Sequence, residues 1–149
     1  MDEREIAIRW ASDPAEVKAA QAIRERVFCG EQGVSRAEEL DGRDEQALHL
    51  LALEPDSGRV IGTLRLLFDE QRAKIGRVAV QASWRRRGIA SRMLLEALEL
   101  AREQGCTQAR LASQQQATGL YERAGFTVCS DPFLEAGIAH VWMVLELGG

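Results

Sequence analysis

The spacing of apolar residues changes around one glycine, and this change limits the folds open to the chain. "KIGRVAV", residues 74–80, alternates in the manner of a strand. Between Gly88 and about Gln104 the apolar residues recur every three or four positions, as in an amphipathic helix that Gly105 ends. "ARLAS", residues 109–113, is a second short strand. A helix between two such strands predicts a β-α-β unit with parallel strands.

The rest of the chain predicts mostly antiparallel strands around this unit. Two strand-like runs flank the turn "PDSGR", which favours a hairpin that continues into residues 74–80. The other predicted elements, in chain order, are a strand in "EIAIRWA" at 5–11, a helix from about Pro14 to Phe28, a loop at 30–45, a helix at about 116–124, a strand at 126–129, a loop through Gly137 and a last strand in "HVWMVLEL".

These elements predict an α/β fold of the α+β kind. We expect one mixed sheet of about six or seven mostly antiparallel strands, with a central parallel pair and about four helices. Because no repeat, linker or low-complexity segment divides the sequence, residues 1–149 are expected to form a single domain.

The composition argues against several classes of partner. A formal net charge of −4 disfavours nucleic acids and anionic membranes, and no run reaches the roughly 18 apolar residues of a membrane span. The charged N-terminus lacks the apolar core of a signal peptide, and three cysteines without CxxC spacing favour reduced thiols, so we expect a cytoplasmic protein. With only two histidines, we expect no metal site.

Three consecutive arginines precede the central helix. Arg85, Arg86 and Arg87 are followed by Gly88 and Ala90, which are small enough to let a ligand approach the backbone. A basic triplet is usually only a solvated surface, but free N–H groups at a helix entrance favour binding of a polyanion such as a pyrophosphate. The stretch is neither a Walker A loop nor a GxGxxG turn, which disfavours nucleoside triphosphates and NAD.

These residues resemble the acyl-CoA pyrophosphate loop of the GNAT superfamily of N-acyltransferases. The segment Arg85-x-x-Gly88-x-Ala90 after "GRVAV" carries the resemblance, with support from "LYERAGF" at 120–126. It implies a GNAT-like fold and acetyl-CoA as cosubstrate. The cofactor-binding residues implied are Val78, Ala79, Val80, Arg85, Arg86, Arg87, Gly88, Ile89, Ala90, Ser91 and Gln114.

A narrower likeness is to a bacterial GNAT subgroup with an EQ segment, an Asp-rich loop and two histidines. It is carried by "RERVFCGEQGV", by Asp41 with Asp44, by "LHL" at 48–50 and by "EAGIAHVWM" near the end. Gly119 and Leu120 precede the tyrosine of the later motif, where family members often have Asn or an aromatic residue.

Acyl transfer from a thioester to an amine requires a neutral amine, a stabilised carbonyl oxygen and a proton for the thiolate. Tyr121 is the only tyrosine, and the resemblance places it at the family's general-acid position. The resemblance also implies a backbone N–H near Val80 as the donor to the carbonyl oxygen. The base remains open among Glu31, Asp41, Asp44, His49 and His140, since each histidine could also be a buried structural residue.

The sequence leaves open the role of the acidic segment and the identity of the acceptor. The five carboxylates of "EELDGRDE" are either a solvated loop or a field that attracts a cationic amine. We expect a small-molecule or peptide amine as acceptor, and leave homodimerisation open. The main alternative is a noncatalytic acyl-CoA-binding or interaction module on the same fold.

Overall fold

The computed structural model describes residues 5–148, whose strands all belong to one eight-stranded sheet. The strands are β1 (Ala7–Trp10), β2 (Leu48–Leu53), β3 (Val60–Asp69), β4 (Arg72–Val80), β5 (Gln108–Gln114), β6 (Thr127–Val128), β7 (Phe133–Glu135) and β8 (Ile138–Glu146). The helices are α1 (Pro14–Arg24), α2 (Arg36–Glu39), α3 (Ile89–Glu103) and α4 (Thr118–Arg123). A π-helical segment, Glu25–Glu31, continues α1.

The strand order is β1-β2-β3-β4-β5-β8-β6, and β7 also pairs with β8. Among the described strands only β4 and β5 are parallel, and α3 connects them as predicted from the change of period. The mixed sheet, its central parallel pair and the four helices confirm the predicted fold. The structure has eight strands where six or seven were expected.

The extra strand lies in the segment predicted as a loop through Gly137. β7 forms a tight hairpin with β8, and the two turn residues, Ala136 and Gly137, have φ values of 51° and 77°. A turn with two positive φ values usually carries Asn, Asp or Gly at its first position. Because alanine stands there, no local signal indicates the hairpin.

Helices cover both faces of the sheet because successive residues of a strand point to opposite faces. Leu50 and Ala52 of β2 belong to the main core with Met93 and Leu94 of α3. Leu51 and Leu53 instead pack against Ala20 of α1. The helix of the β-α-β unit and the helix near the N-terminus therefore lie on opposite sides of the sheet.

The prediction of residues 30–45 as a loop is wrong. The segment includes α2, which Ser35 caps by accepting a hydrogen bond from the backbone N–H of Glu38, and the first residues of a short 3-10 turn at Asp44–Gln46. Glu39 is 3% exposed, so this acidic segment packs onto the body of the protein.

Candidate active site

A cavity of about 710 Å³ opens where β4 and β5 separate. The two strands pair only from Arg72 to Ile75, opposite Gln108 to Leu111, and then diverge. From Gly76 to Val80, β4 therefore has no strand partner on its β5 side within residues 5–148. Lining residues from the strands and from α4 include Ile75, Gly76, Val78, Ala79, Val80, Leu111, Ala112, Gln114, Leu120 and Tyr121.

A β-bulge in β4 accompanies this separation. Thr63 of β3 lies opposite Ala79 and Arg65 lies opposite Gly76, so the two residues between them on β4 face one residue of β3. One of those two, Arg77, has a φ of 52°, which is rare for a residue with a side chain. The bulge therefore lies in the part of β4 that has no β5 partner.

The entrance of α3 carries the arginine triplet. Gly88 is the N-cap with a φ of 77°, and no side chain caps the helix. A Cβ at this glycine would meet no described atom within 4 Å, so open space lies beside the first-turn amides. Arg86 also has a positive φ, 64°. This turn therefore presents backbone N–H groups and positive charge without an internal acceptor side chain.

The three arginines make different contacts. Arg85 lines the cavity, donates from Nε to the carbonyl oxygen of Val80 at 2.9 Å and pairs with Glu31 at 2.8 Å. The Arg87 guanidinium lies 4.9 Å from the ring centroid of Trp84, and Arg86 is exposed. Of the predicted loop residues, Arg85 and Ala90 line the cavity. Arg86, Arg87, Gly88, Ile89 and Ser91 do not, and Ile89 is in the core.

Tyr121 lies on α4 and lines the cavity. Its side chain is 7% exposed and its ring packs edge-to-face on Phe126, with centroids 6.2 Å apart. No group of residues 5–148 forms a hydrogen bond with its hydroxyl. Burial raises the pKa of Tyr121 to about 12, because the apolar surroundings disfavour the phenolate. The phenol is thus held protonated at neutral pH and has hydrogen-bonding capacity to spare.

His140 lies in the same cavity at the start of β8, opposite Gln114 of β5. Its Nδ1 is 2.7 Å from the carbonyl oxygen of Ile138. Since a carbonyl only accepts, the proton of the neutral ring is on Nδ1, and Nε2 keeps a free lone pair. A carboxylate oxygen of Glu135 lies 3.8 Å from Nε2. This arrangement suits a proton acceptor.

The other base candidates lie outside the cavity or are already paired with arginines. His49 is 3% exposed and does not line the cavity, and its Nε2 lies 3.0 Å from the carbonyl oxygen of Asp44. Glu31 is outside the cavity lining and forms the ion pair with Arg85. Asp41 lines the cavity but pairs with Arg65 at 2.8 Å. Geometry thus favours His140 over the other candidates.

The acidic segment forms a buried charge cluster that the sequence did not predict. Glu39 and Asp44 pair with Arg24 of α1 at 2.6 and 2.7 Å, and Glu39 also pairs with Arg77 of the bulge at 2.9 Å. Asp41 and Asp44 both contact Arg65. The hydrogen bonds of Arg65 hold the pKa of Asp41 well below its usual range despite partial burial. Glu39 and Asp44 are therefore compensated by arginines, whereas Glu38 and Glu45 are exposed to solvent.

The EQ segment closes one side of the cavity. Gln32 lines the cavity and exchanges side-chain hydrogen bonds with Gln114 at the end of β5, the shorter being 2.7 Å. Glu31, its neighbour, pairs with Arg85. Glu31 and Gln32 therefore connect the segment after α1 to the ends of both β4 and β5. Their pairing partners are more than 50 positions away in sequence, so only the family motif could have indicated them.

Lys74 and Glu135 also line the cavity and were not singled out from the sequence. A single charged residue in a strand, or one next to a turn, carries no motif. The alternation of β4 is the one available signal, because it places Lys74 on the face opposite its apolar neighbours Ala73 and Ile75.

Among residues 5–148, no helix is long and apolar enough to cross a membrane. No three of their His, Cys, Asp and Glu side chains are grouped so as to hold a metal ion.

Comparisons with known proteins agree with this geometry. The chain matches the family model described as "Acetyltransferase (GNAT) domain" over residues 14–147. It is 32% identical to "Uncharacterized N-acetyltransferase YjcF" of Bacillus subtilis over 138 residues, which are 91% of this chain and 96% of that protein.

Solved structures give the same result. An acyl-CoA N-acyltransferase from Pseudomonas aeruginosa matches with a TM-score of 0.82 and 28% identity, over 93% of this chain and 98% of that chain. A Bacillus subtilis acetyltransferase crystallised in complex with CoA matches with a TM-score of 0.71 and 18% identity, over 95% of this chain and 98% of that one. The second likeness is one of fold alone.

Proposed function

Because the chain belongs to the GNAT acetyltransferase family, we propose that it transfers an acetyl group from acetyl-CoA to a primary amine by direct attack in a ternary complex. The observation that carries this proposal is the phenol of Tyr121, which lines the cavity between the separated strands and has no hydrogen-bond partner among residues 5–148. A thioester that reaches this phenol would have both the free edge of β4 and the ring of His140 within one cavity.

The entrance of α3 suits the pyrophosphate of acetyl-CoA. Backbone amides from Arg86 to Ser91 would bind the phosphate oxygens, aided by the positive end of the helix dipole. The open space beside Gly88 admits a ligand close to the backbone. Arg85 would exchange its exposed pairing with Glu31 for a pyrophosphate oxygen or for the 3′-phosphate of CoA.

The pantetheine arm would lie between the separated strands. Its amides would pair with the main chain of Val78, Ala79 and Val80, the part of β4 without a β5 partner, and Gln114 would contact the arm or the acceptor. A main-chain N–H of this edge would donate to the thioester oxygen as negative charge develops on it.

His140 and Tyr121 would each carry out one of the two proton transfers. Nε2 of His140 accepts the proton of the attacking amine as its nitrogen bonds to the acetyl carbon. The C–S bond breaks, and Tyr121 donates its proton to the leaving thiolate. Although its pKa is about 12, the same apolar surroundings raise the basicity of a thiolate formed beside it. Tyr121 then regains its proton from solvent or from His140.

A free-thiol release assay tests this function. Acetyl-CoA would be supplied with amino acids, polyamines, amino sugars and peptides with free N-termini. Tyr121→Phe is expected to lower kcat by about 10²–10⁴ while the Kd for acetyl-CoA changes less than about twofold. His140→Gln is expected to lower kcat/KM by about 10²–10⁴.

Two outcomes would contradict the proposal. Full turnover by Tyr121→Phe would remove the phenol from the mechanism. Tight binding of acetyl-CoA without turnover on any amine would instead favour the noncatalytic acyl-CoA-binding module.

A further inference from the structure

Lys74 is a cavity residue with no role in the transfer described above. It lies on β4 between Ala73 and Ile75, which belong to the core beneath α3, so its side chain extends from the opposite face of the sheet. It is half-buried and lines the same cavity as Tyr121 and His140. Lys74 therefore presents a cation to the cavity that also contains Tyr121 and His140.

Lys74 is distinguished from the other cavity cations by its lack of a carboxylate partner. Arg65 pairs with Asp41 at 2.8 Å, Arg77 pairs with Glu39 at 2.9 Å, and Arg85 pairs with Glu31 at 2.8 Å. Within residues 5–148 no Asp or Glu oxygen lies within ion-pair distance of Lys74. Burial lowers the pKa of its ammonium by more than the nearby carboxylate of Glu135 raises it.

Arg110 is a second cation beside Lys74 in the sheet, although it is not one of the cavity-lining residues. It is the register partner of Lys74 on the parallel strand β5, and it likewise forms no ion pair within the described part of the chain. Both cations lie over the ring of Trp142, at 5.4 Å for Lys74 Nζ and 4.8 Å for the Arg110 guanidinium carbon. The indole ring therefore attracts both cations. A bound anion would offset the positive charge at this ring.

We propose that Lys74 and Arg110 bind a carboxylate of the acceptor, so that the substrate is an amino acid or another amine bearing a carboxylate. This inference rests on the proposed acetyl transfer. The anionic group of the acceptor is expected to carry a single charge. Glu135, a third charged residue on this side of the cavity, would repel a dianion such as a phosphate ester. Trp142 would orient the cations and His140 would accept the proton from the other end of the same substrate.

The test uses pairs of amines that differ only in the anionic group. A series of ω-amino acids is compared with amino alcohols of the same chain length, whose amines have similar basicity. For the best pair, kcat/KM of the wild type is expected to be about tenfold or more higher for the acid. Lys74→Met is expected to lower the acid value by about 10- to 100-fold and the alcohol value by less than twofold, in proportion to a lost charge-assisted hydrogen bond.

Lys18 supplies the matched control. It is the only other lysine of the chain, and it is exposed on α1 outside the cavity. Lys18→Met is expected to behave as the wild type with every amine. Arg110→Gln is expected to reduce selectivity for the acid in the same direction as Lys74→Met.

Calorimetric binding of the acid and the alcohol to the CoA-bound protein separates this inference from the proposed transfer. Binding that favours the acid and is lost in Lys74→Met supports the carboxylate site even where no thiol is released. Equal binding and equal turnover of acid and alcohol would overturn the inference, although acetyl transfer itself would stand. Equal loss of both substrates in Lys74→Met would also overturn it, because Lys74 would then be structural.

Discussion

Replacing Glu39 by glutamine tests whether the buried charge cluster holds the bulge that opens the cavity. One oxygen of Glu39 accepts hydrogen bonds from Nη2 and Nε of Arg24, at 2.6 and 3.0 Å, and from Nε of Arg77 at 2.9 Å. Arg24 is 0% exposed and Glu39 is 3% exposed, so water cannot replace the lost charge. The neutral amide in Glu39→Gln would remove one negative charge from two guanidinium groups.

The expected loss of stability in Glu39→Gln follows from this burial. Breaking a buried pair costs about 3–5 kcal/mol, because an uncompensated charge remains inside the protein. Asp44 still pairs with Arg24 and Asp41 still contacts Arg77, so we expect the low end, about 3 kcal/mol. For a chain of this size, that loss lowers Tm by about 6–12 °C. Since Arg77 is released from one anchor, the Kd for acetyl-CoA is also expected to increase.

Urea unfolding and calorimetry measure the loss of stability. Glu25→Gln is the control, since Glu25 is exposed and pairs with Arg36 at 3.5 Å on the surface. Surface pairs of this kind contribute about 0–1 kcal/mol. If the free energy of unfolding fell by less than about 1 kcal/mol in Glu39→Gln, or by the same amount in both variants, the cluster would not be a determinant of this fold.

Two predictions concern pH. Burial raises the pKa of Asp44, but hydrogen bonds from Arg24 and Gln21 outweigh it and hold the pKa at about 2. Because this lies below the usual value of 3.8, the stability from Asp44 is complete above about pH 4 and is lost toward pH 2, so acid unfolding of Asp44→Asn should depend less on pH over that range. For Tyr121 the pH dependence of stability has the opposite sign, because folding raises its pKa from 10.0 to about 12. The unfolded state loses the proton first as pH rises, which removes about 1.4 kcal/mol of stability by about pH 11. Urea titrations of Tyr121→Phe should lack this loss.

The elements predicted well from the sequence depend on local periodicity. The apolar stripe of α3 and the alternation of β4 are complete within their own segments, so the parallel pair and the open turn at Gly88 could be predicted without knowledge of any partner. Helix α1 could be predicted in the same way, and Arg24 belongs to its buried face.

The failures arise where a residue depends on distant partners. The carboxylates of residues 38–45 have the pattern of a solvated loop, because their arginines come from α1, β3 and β4 and no local pattern connects them. The π-helical continuation of α1 and the positive φ at Arg77 likewise depend on tertiary contacts. Lys74 was missed for the same reason, since its significance is the absence of an ion-pair partner within residues 5–148.

Calorimetric titration with acetyl-CoA is the most direct test of the central claim, that the open turn at Gly88 binds the cosubstrate. The wild type is expected to bind with a Kd between about 1 μM and 1 mM. Gly88→Ala places a methyl in the space beside the amides and is expected to weaken binding at least about tenfold. Gly58→Ala is the control, because its φ of 69° gives the same strain in a remote turn, also with open space around it. Both alanines are expected to cost about 1 kcal/mol of stability. Unchanged acetyl-CoA affinity in Gly88→Ala, or no binding by the wild type, would contradict the account.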